Sequence, residues 1–320
     1  VLSRSEERYL TRQAAFATVP DFRKRSAEGL LYTHIGSGTT QIAAYDQDGL
    51  SFSQSTQMGA LRIRQMLSSI EEQTLRFSQV MEEFMISNMD FILQKGVRQP
   101  YTHYLISGDI GERLYRICAG EKSEAEFACL SLDQFEKMYQ KVLTMSSREI
   151  GETYEMEPER AALVGPSMRN VQTCCGITKA KWNSFSCSGL LDGVLWGLAA
   201  TQENKLQRMQ SLEDILSYTK TIAKRFRCDM KHAQQGNEYA LMLFDALSKA
   251  LGLNARHRLM LQIAVLLHDS GKFLNLNEHA DHSAMIIHAT EFTGISTEEK
   301  DMIAIMVRFH EGGEMSGQDM

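Results

Sequence analysis

The spacing of apolar residues changes for good near residue 202, and no other feature restricts the fold as much. Upstream, short β-rich runs alternate with turns and helical stretches. Downstream, the spacing predicts only amphipathic helices, over 210–227, 232–251, 255–268, 282–293 and 297–310. Strands alternating with helices require a layered α/β core, whereas helical periodicity alone requires helices packed on helices. The chain is read as an α/β domain followed by an all-helical one, and its 320 residues are enough for two cores.

Within the first part, LLYTHI, QIAAY and LSFSQSTQ are separated by GSGT and DQDG, which predicts a meander of three antiparallel strands over 29–57. Helical spacing follows from residue 59, with a long amphipathic stretch at 70–94. The run THYLISG then ends in Ser107-Gly108 and leads into a helix at 110–119. Residues 130–154 read as helix, and 161–164 and 183–187 as short buried strands. Ser188-Gly189 opens a last helix with Leu190, Leu191, Val194, Leu195 and Leu198 on one apolar face. The stretch THIGSGTTQIAAY contains Gly36, Ser37, Gly38 and Thr39. Glycines there suit a hairpin turn and equally a loop whose amides close on a phosphate, so local sequence leaves both readings open.

Composition narrows the setting. A hydrophobic content of 43%, 23% charged residues and four prolines describe a globular chain, and no apolar run approaches the roughly 18 residues of a membrane span. The net charge of -6 argues against a broad nucleic-acid surface, so no DNA partner is expected. Six cysteines without CxxC spacing predict reduced thiols and a cytoplasmic setting. The chain starts at Val1 and ends at Met320 just after a predicted helix, and is expected to be a fragment cut at both ends.

The helical part carries His232, the pair His268-Asp269 in LLHDSGKF, His282 in EHADHSAMII, and His310 followed by Glu311 in RFHEGG. Imidazole with carboxylate favours a hydrolytic metal with open positions over a closed thiolate cage. The pattern of His232, His268, Asp269, Gly271 and Lys272 resembles the HD phosphohydrolase superfamily, with Lys272 in support of the site and His282 and His310 where some branches add ligands. The resemblance implies a divalent cofactor, magnesium or manganese, and a closing aspartate beyond Met320.

Across nearly its whole length the chain resembles the exopolyphosphatase and guanosine pentaphosphate phosphatase family. That implies an actin-like ATPase (ribonuclease H-like) α/β lobe followed by an all-α HD-type domain. It divides the chain into the end of a first lobe with its linking helix (1–28), a second lobe (29–201) and a helical HD-like domain (202–320). In VLSRSEERYLTRQAAFATVP the resemblance gives Glu7 the role of positioning the attacking water. It makes Gly36, Ser37, Gly38 and Thr39 a phosphate loop, with Ser107 and Gly108 in a second turn facing it across the cleft. EPERAALVGPS and SCSGLLDGVLWGLA match architectural segments. Three positions depart from the family: His34 and Gln41 replace carboxylates that support magnesium, and Asp109 adds negative charge beside a polyanion. Magnesium prefers oxygen donors, so turnover in this lobe is expected to be weak.

The implied activity is hydrolysis of a terminal phosphoanhydride of polyphosphate or a guanosine polyphosphate. The alternatives are a weakened polyphosphate-binding protein and a metal-dependent phosphohydrolase acting through the HD domain. No membrane partner is expected, and a homodimer is the candidate assembly.

Overall fold

A computed structural model describes residues 4–71, 77–96, 101–108, 111–119, 127–176, 178–199 and 202–312. By internal contacts the chain forms two compact units, Leu10–Ala200 and Val1–Tyr9 with Thr201–Met320. The Asp109 departure lies outside the described residues.

The first unit is built on a six-stranded sheet of order β3-β2-β1-β4-β6-β5. The strands are β1 (Leu30–Ile35), β2 (Thr40–Asp46), β3 (Gly49–Thr56), β4 (His103–Ser107), β5 (Phe127–Ser131) and β6 (Trp182–Ser186). β1, β2 and β3 form the expected antiparallel meander, while β4 runs parallel to both β1 and β6. β5 pairs antiparallel with β6 at the edge. Its short FACLS run carries too little alternation to announce a strand, and sheet pairing supplies what propensity does not.

Both faces of β1 are covered, which fits its nearly continuous apolar run. Leu31, Ile35, Ile42, Tyr104 and Ile106 enter a core shared with Met81, Met85, Phe135, Val164 and Met168. On the other side Phe16 of α1 (Arg4–Thr18) meets Tyr32 and Tyr45 edge-on, and Phe22 of α2 (Phe22–Gly29) meets Tyr45 likewise. Completing the unit are α3 (Ala60–Glu71), α4 (Phe77–Gly96), α5 (Gly111–Ala119), α6 (Leu132–Leu143), α7 (Ser147–Thr153), α8 (Pro158–Ala161), α9 (Val164–Cys175) and α10 (Leu190–Leu198). Ser131 with Gln134 and Ser146 with Glu149 form capping boxes that start α6 and α7.

One expectation fails here. Residues 161–164 close α8 and open α9 instead of forming a strand. Their apolar run is too short to separate strand from buried helix, and Pro158 at the start of α8 favours the helix. The expected helix at Leu190–Leu198 forms as α10, with Leu191, Leu195 and Leu198 of its apolar face exposed and Gly193 packed inward.

The second unit comprises α11 (Gln202–Arg225), α12 (Met230–Leu247), α13 (Ala255–Leu267), a short 3-10 turn (Ser270–Phe273), α14 (His279–Ala289) and α15 (Thr297–Arg308). Side-chain caps from Asp229, Asn254 and Ser296 start α12, α13 and α15. Leu259, Ile263, Leu267, Ile287 and Ile303 are buried, each contributing about 1.5–3 kcal/mol through lost apolar exposure. The first turns of α1 join this unit through Ser5 Oγ donating to Phe292 O (3.0 Å) and an Arg8–Glu291 ion pair (2.9 Å).

None of the six cysteines is in a disulfide. Burial pushes Cys118, Cys174 and Cys175 up to about 12, so these thiols stay protonated at neutral pH. Among the described residues no helix is long and apolar enough to cross a membrane.

Gly108 tests the sheet. Its φ is +116°, and a Cβ there would come within 2.3 Å of Ile35 O. Gly108→Ala is expected to cost roughly 1–3 kcal/mol, read as a lower urea midpoint with unchanged slope.

Candidate functional site

The donor cluster of the helical unit is assembled from four elements. His232 lies in the first turn of α12, where the Asp229 carboxylate accepts its backbone N–H (3.1 Å). His268 caps the end of α13, and Asp269 begins the 3-10 turn. His279 is the first residue of α14, and His310 follows α15. Ring centroids lie 5.3 Å apart for His232 and His268, 5.0 Å for His268 and His310, and 5.3 Å for His279 and His310. Two overlapping groups, His232–His268–Asp269 and Asp269–His279–His310, each hold their ligand atoms within 4.8 Å of one another.

The turn reaches this position because Gly271 has no side chain. A Cβ there would stand 2.1 Å from His279 O and 2.6 Å from Ser283 N. Buried Ser283 fastens the contact: its hydroxyl accepts from Gly271 N–H and donates to His268 O, both at 2.7 Å.

Hydrogen bonding fixes the tautomers. A carbonyl oxygen only accepts, so Nδ1 of His268 donates to Val265 O (2.7 Å), that of His310 to Val307 O (2.7 Å), and that of His279 to Leu276 O (3.2 Å). Each neutral ring then presents its Nε2 lone pair, the arrangement a metal-ligating histidine adopts. His279 is 6% exposed and its Nε2 has no hydrogen-bond partner among the described residues.

Asp269 divides its two oxygens. Oδ2 takes a hydrogen bond from Lys272 Nζ at 2.8 Å, while Oδ1 faces His268 Nε2 at 3.4 Å and His279 Nε2 at 3.6 Å. Burial alone would raise its pKa, but Lys272 and His268 outweigh that and hold the carboxyl below its ordinary value. Burial pushes the His268 imidazole below its ordinary value, so it stays neutral and able to ligate. Glu311 Oε1 lies 3.7 Å from His279 Nε2 and adds a further oxygen nearby.

The donors present fit a divalent metal. Four imidazoles and one carboxylate suit manganese, iron or zinc better than magnesium, which seeks oxygen ligands.

His282 belongs to neither donor group. It lies against Gly271, and its Nδ1 is buried without a partner among the described residues. His279, three residues earlier in the same EHADH run, takes its place. The sequence signalled a histidine in this run, but which one reaches Asp269 depends on how α14 packs against the turn.

The α/β unit holds the other expected site residues except Glu7, which is exposed on the first turn of α1 within the helical unit. Gly36, Ser37, Gly38 and Thr39 form the connection between β1 and β2. Carbonyls of Gly36, Ser37 and Gly38 accept the N–H groups of Gly59, Ala60, Leu61 and Arg62 (3.0–3.3 Å), so the loop caps α3. His34 and Ser107 are partners in the parallel β1–β4 register, which places the two Gly turns next to each other at the carboxyl ends of the two central strands. Ser107 Oγ is engaged by Tyr32 Oη at 2.7 Å and His34 Nδ1 at 3.1 Å.

Comparison with known proteins finds relatives of both the sequence and the fold. Residues 217–317 match the family described as Ppx/GppA phosphatase, domain III. A guanosine-5'-triphosphate,3'-diphosphate pyrophosphatase of Pseudoalteromonas atlantica is 25% identical over 127 residues, 39% of this chain and 24% of that protein. The protein of the same name from Aeromonas hydrophila is 24% identical over 119 residues, 37% of this chain and 23% of its own length. The matched stretches thus span about a quarter of these relatives. In fold, the chain is similar to an exopolyphosphatase from Cytophaga hutchinsonii, with a TM-score of 0.50 and 16% identity over 60% of this chain and 62% of that one.

Replacing His279 by alanine is expected to weaken manganese or zinc binding tenfold or more, about the lower end of the loss when a metal site's support is removed. His282→Ala is expected to retain it. Calorimetric titration of the metal into chelator-treated full-length protein checks both.

Proposed function

We propose that this chain is a metal-dependent phosphohydrolase acting through His232, His268, Asp269, His279 and His310. One observation carries the reading. The Nε2 lone pairs of His268 and His279 face the Asp269 Oδ1 atom at 3.4 and 3.6 Å. Lone pairs that converge without a proton between them repel, and a cation relieves the repulsion. A bound divalent ion would supply a water of lowered pKa and charge stabilisation on a phosphoryl oxygen.

The chain's own groups do the rest. The carbonyls of Val265, Leu276 and Val307 hold three rings in one tautomer. Lys272 orients Asp269 and brings a positive charge to the edge of the site, where it would attract an anionic substrate. His232 and His310 are exposed, which leaves the centre open to solvent and to a phosphate group. The name shared by the two bacterial relatives supports a substrate with phosphoanhydride bonds, such as a guanosine polyphosphate or polyphosphate.

The family resemblance also favours a second reading, hydrolysis of a terminal phosphoanhydride in the α/β unit with Glu7 positioning water. His34 and Gln41 weigh against it, since neither supplies the carboxylate oxygen that magnesium prefers.

Phosphate release from guanosine pentaphosphate and from polyphosphate, measured with manganese, separates the two. Asp269→Ala is expected to lower the rate by about a hundredfold or more, the scale of losing a major electrostatic stabiliser, while Glu7→Gln leaves it within a factor of a few. Loss in Glu7→Gln alone would move the chemistry to the α/β unit.

A further inference from the structure

The stretch that joins α11 to α12 reads KRFRCDMK from Lys224 to Lys231, four cations against one carboxylate in a chain whose net charge is -6. That carboxylate is already engaged. Asp229 Oδ1 accepts the backbone N–H groups of Lys231 (2.9 Å) and His232 (3.1 Å), so it caps α12. Lys224, Arg225, Arg227 and Lys231 are all exposed, and none of them has a carboxylate partner among the described residues. A local positive field of this kind attracts anions to the segment.

Arg227 stands apart from the other three. Its φ is +53°, and it occupies the position where a helix ordinarily ends on glycine: Arg227 N–H donates to Lys224 O (3.1 Å) and Cys228 N–H to Ala223 O (2.9 Å), the pattern of a Schellman cap. An L side chain is strained there, and that of Arg227 makes no hydrogen bond among the described residues in return. Its guanidinium carbon lies instead 5.9 Å from the centre of the Phe273 ring, which Phe226 meets edge-on at 5.8 Å. Phe273 is half exposed, so the ring steadies the cation at the surface without burying it.

Both residues are tied to the donor centre. Phe273 follows Lys272 in the 3-10 turn, and Lys272 Nζ reaches Asp269 Oδ2 at 2.8 Å. Two residues after Arg227, Asp229 fixes the first turn of α12, where the His232 ring lies 5.3 Å from that of His268. Arg227 is thus anchored twice, along the chain to His232 and across the Phe273 ring to the turn that carries Asp269. Lys272 is committed to Asp269, whereas the Arg227 fork keeps its five N–H donors.

We propose that Arg227, held on Phe273, is a specificity-determining residue of the His/Asp centre and binds a second phosphate group of the substrate, next to the one that reacts. The proposal deepens the phosphohydrolase reading and rests on it. A planar guanidinium takes two phosphate oxygens at once, which a lysine at the same place would not. The assignment selects substrates with at least two linked phosphates over single phosphate esters. It also accounts for an arginine where glycine would relax the backbone, since strain of this kind persists where a site uses it.

The test titrates full-length protein calorimetrically with tripolyphosphate and with GTP in EDTA, so that binding is read without metal and without turnover. Wild type is expected to bind both, the tighter of the two naming the source of the phosphate chain. Arg227→Gln is expected to bind them about tenfold more weakly, the scale of a lost charge-assisted hydrogen bond. Arg227→Gly is expected to show the same loss while its unfolding midpoint rises by about 2–4 °C, because glycine adopts the left-handed conformation without strain. With manganese, kcat/KM for GTP is expected to fall about tenfold in Arg227→Gln, mainly through KM, and to fall far less for p-nitrophenyl phosphate, which offers a single phosphate. No binding by wild type, unchanged affinity in Arg227→Gln, an equal loss on p-nitrophenyl phosphate, or a lower midpoint in Arg227→Gly overturns the proposal. Binding that depends on Arg227 in a protein that releases no phosphate supports the binding role and overturns the phosphohydrolase reading instead.

Discussion

The hydroxyl of Ser283 bridges the Gly271 N–H and the His268 carbonyl, and the donor centre depends on that small fully buried group. It works only because Gly271 lets the turn approach the α14 backbone more closely than any Cβ permits. Once the turn is seated, Asp269 faces His279, and the caps of α12 and α15 fix the helices from which His232 and His310 extend. A centre that draws its ligands from four helices and the turn between two of them is held by one buried hydroxyl bridge, which itself ends on the His268 carbonyl.

The α/β unit illustrates a different economy. Its central strand is covered on both faces, so the polar groups at the edge of β1 and β4 have satisfied one another: Tyr32 with Ser107, Ser107 with His34. The β1–β2 loop likewise spends its carbonyls on the first amides of α3. Glycines and hydroxyls that could surround an anion are here mostly engaged in holding the sheet edge together.

Much of the architecture was readable before any coordinates. The meander, the Ser-Gly turn after β4 and the helices of the second unit follow from alternation, Gly-rich turns and side-chain caps, all of which act within a few residues. The short edge strand β5 and the helical state of residues 161–164 were not readable, because each depends on what packs beside it. The exposure of the apolar face of α10 was not readable either, because periodicity identifies a face without saying whether anything covers it.

The division is sharpest at the site. Sequence alone singled out His232, the His268-Asp269 pair, His282 and His310 as candidate metal donors with Lys272 in support, because an HD pair followed by Gly and Lys is a local pattern. Only the tertiary structure chose His279 over His282, since the two differ by three residues on one helix and a contact at Gly271 decides which ring reaches Asp269. Only the tertiary structure, too, made Arg12 unusual. In the sequence it is one more cation on an amphipathic helix, and its burial over the Phe16 ring without a hydrogen-bond partner among the described residues is a property of the packed chain.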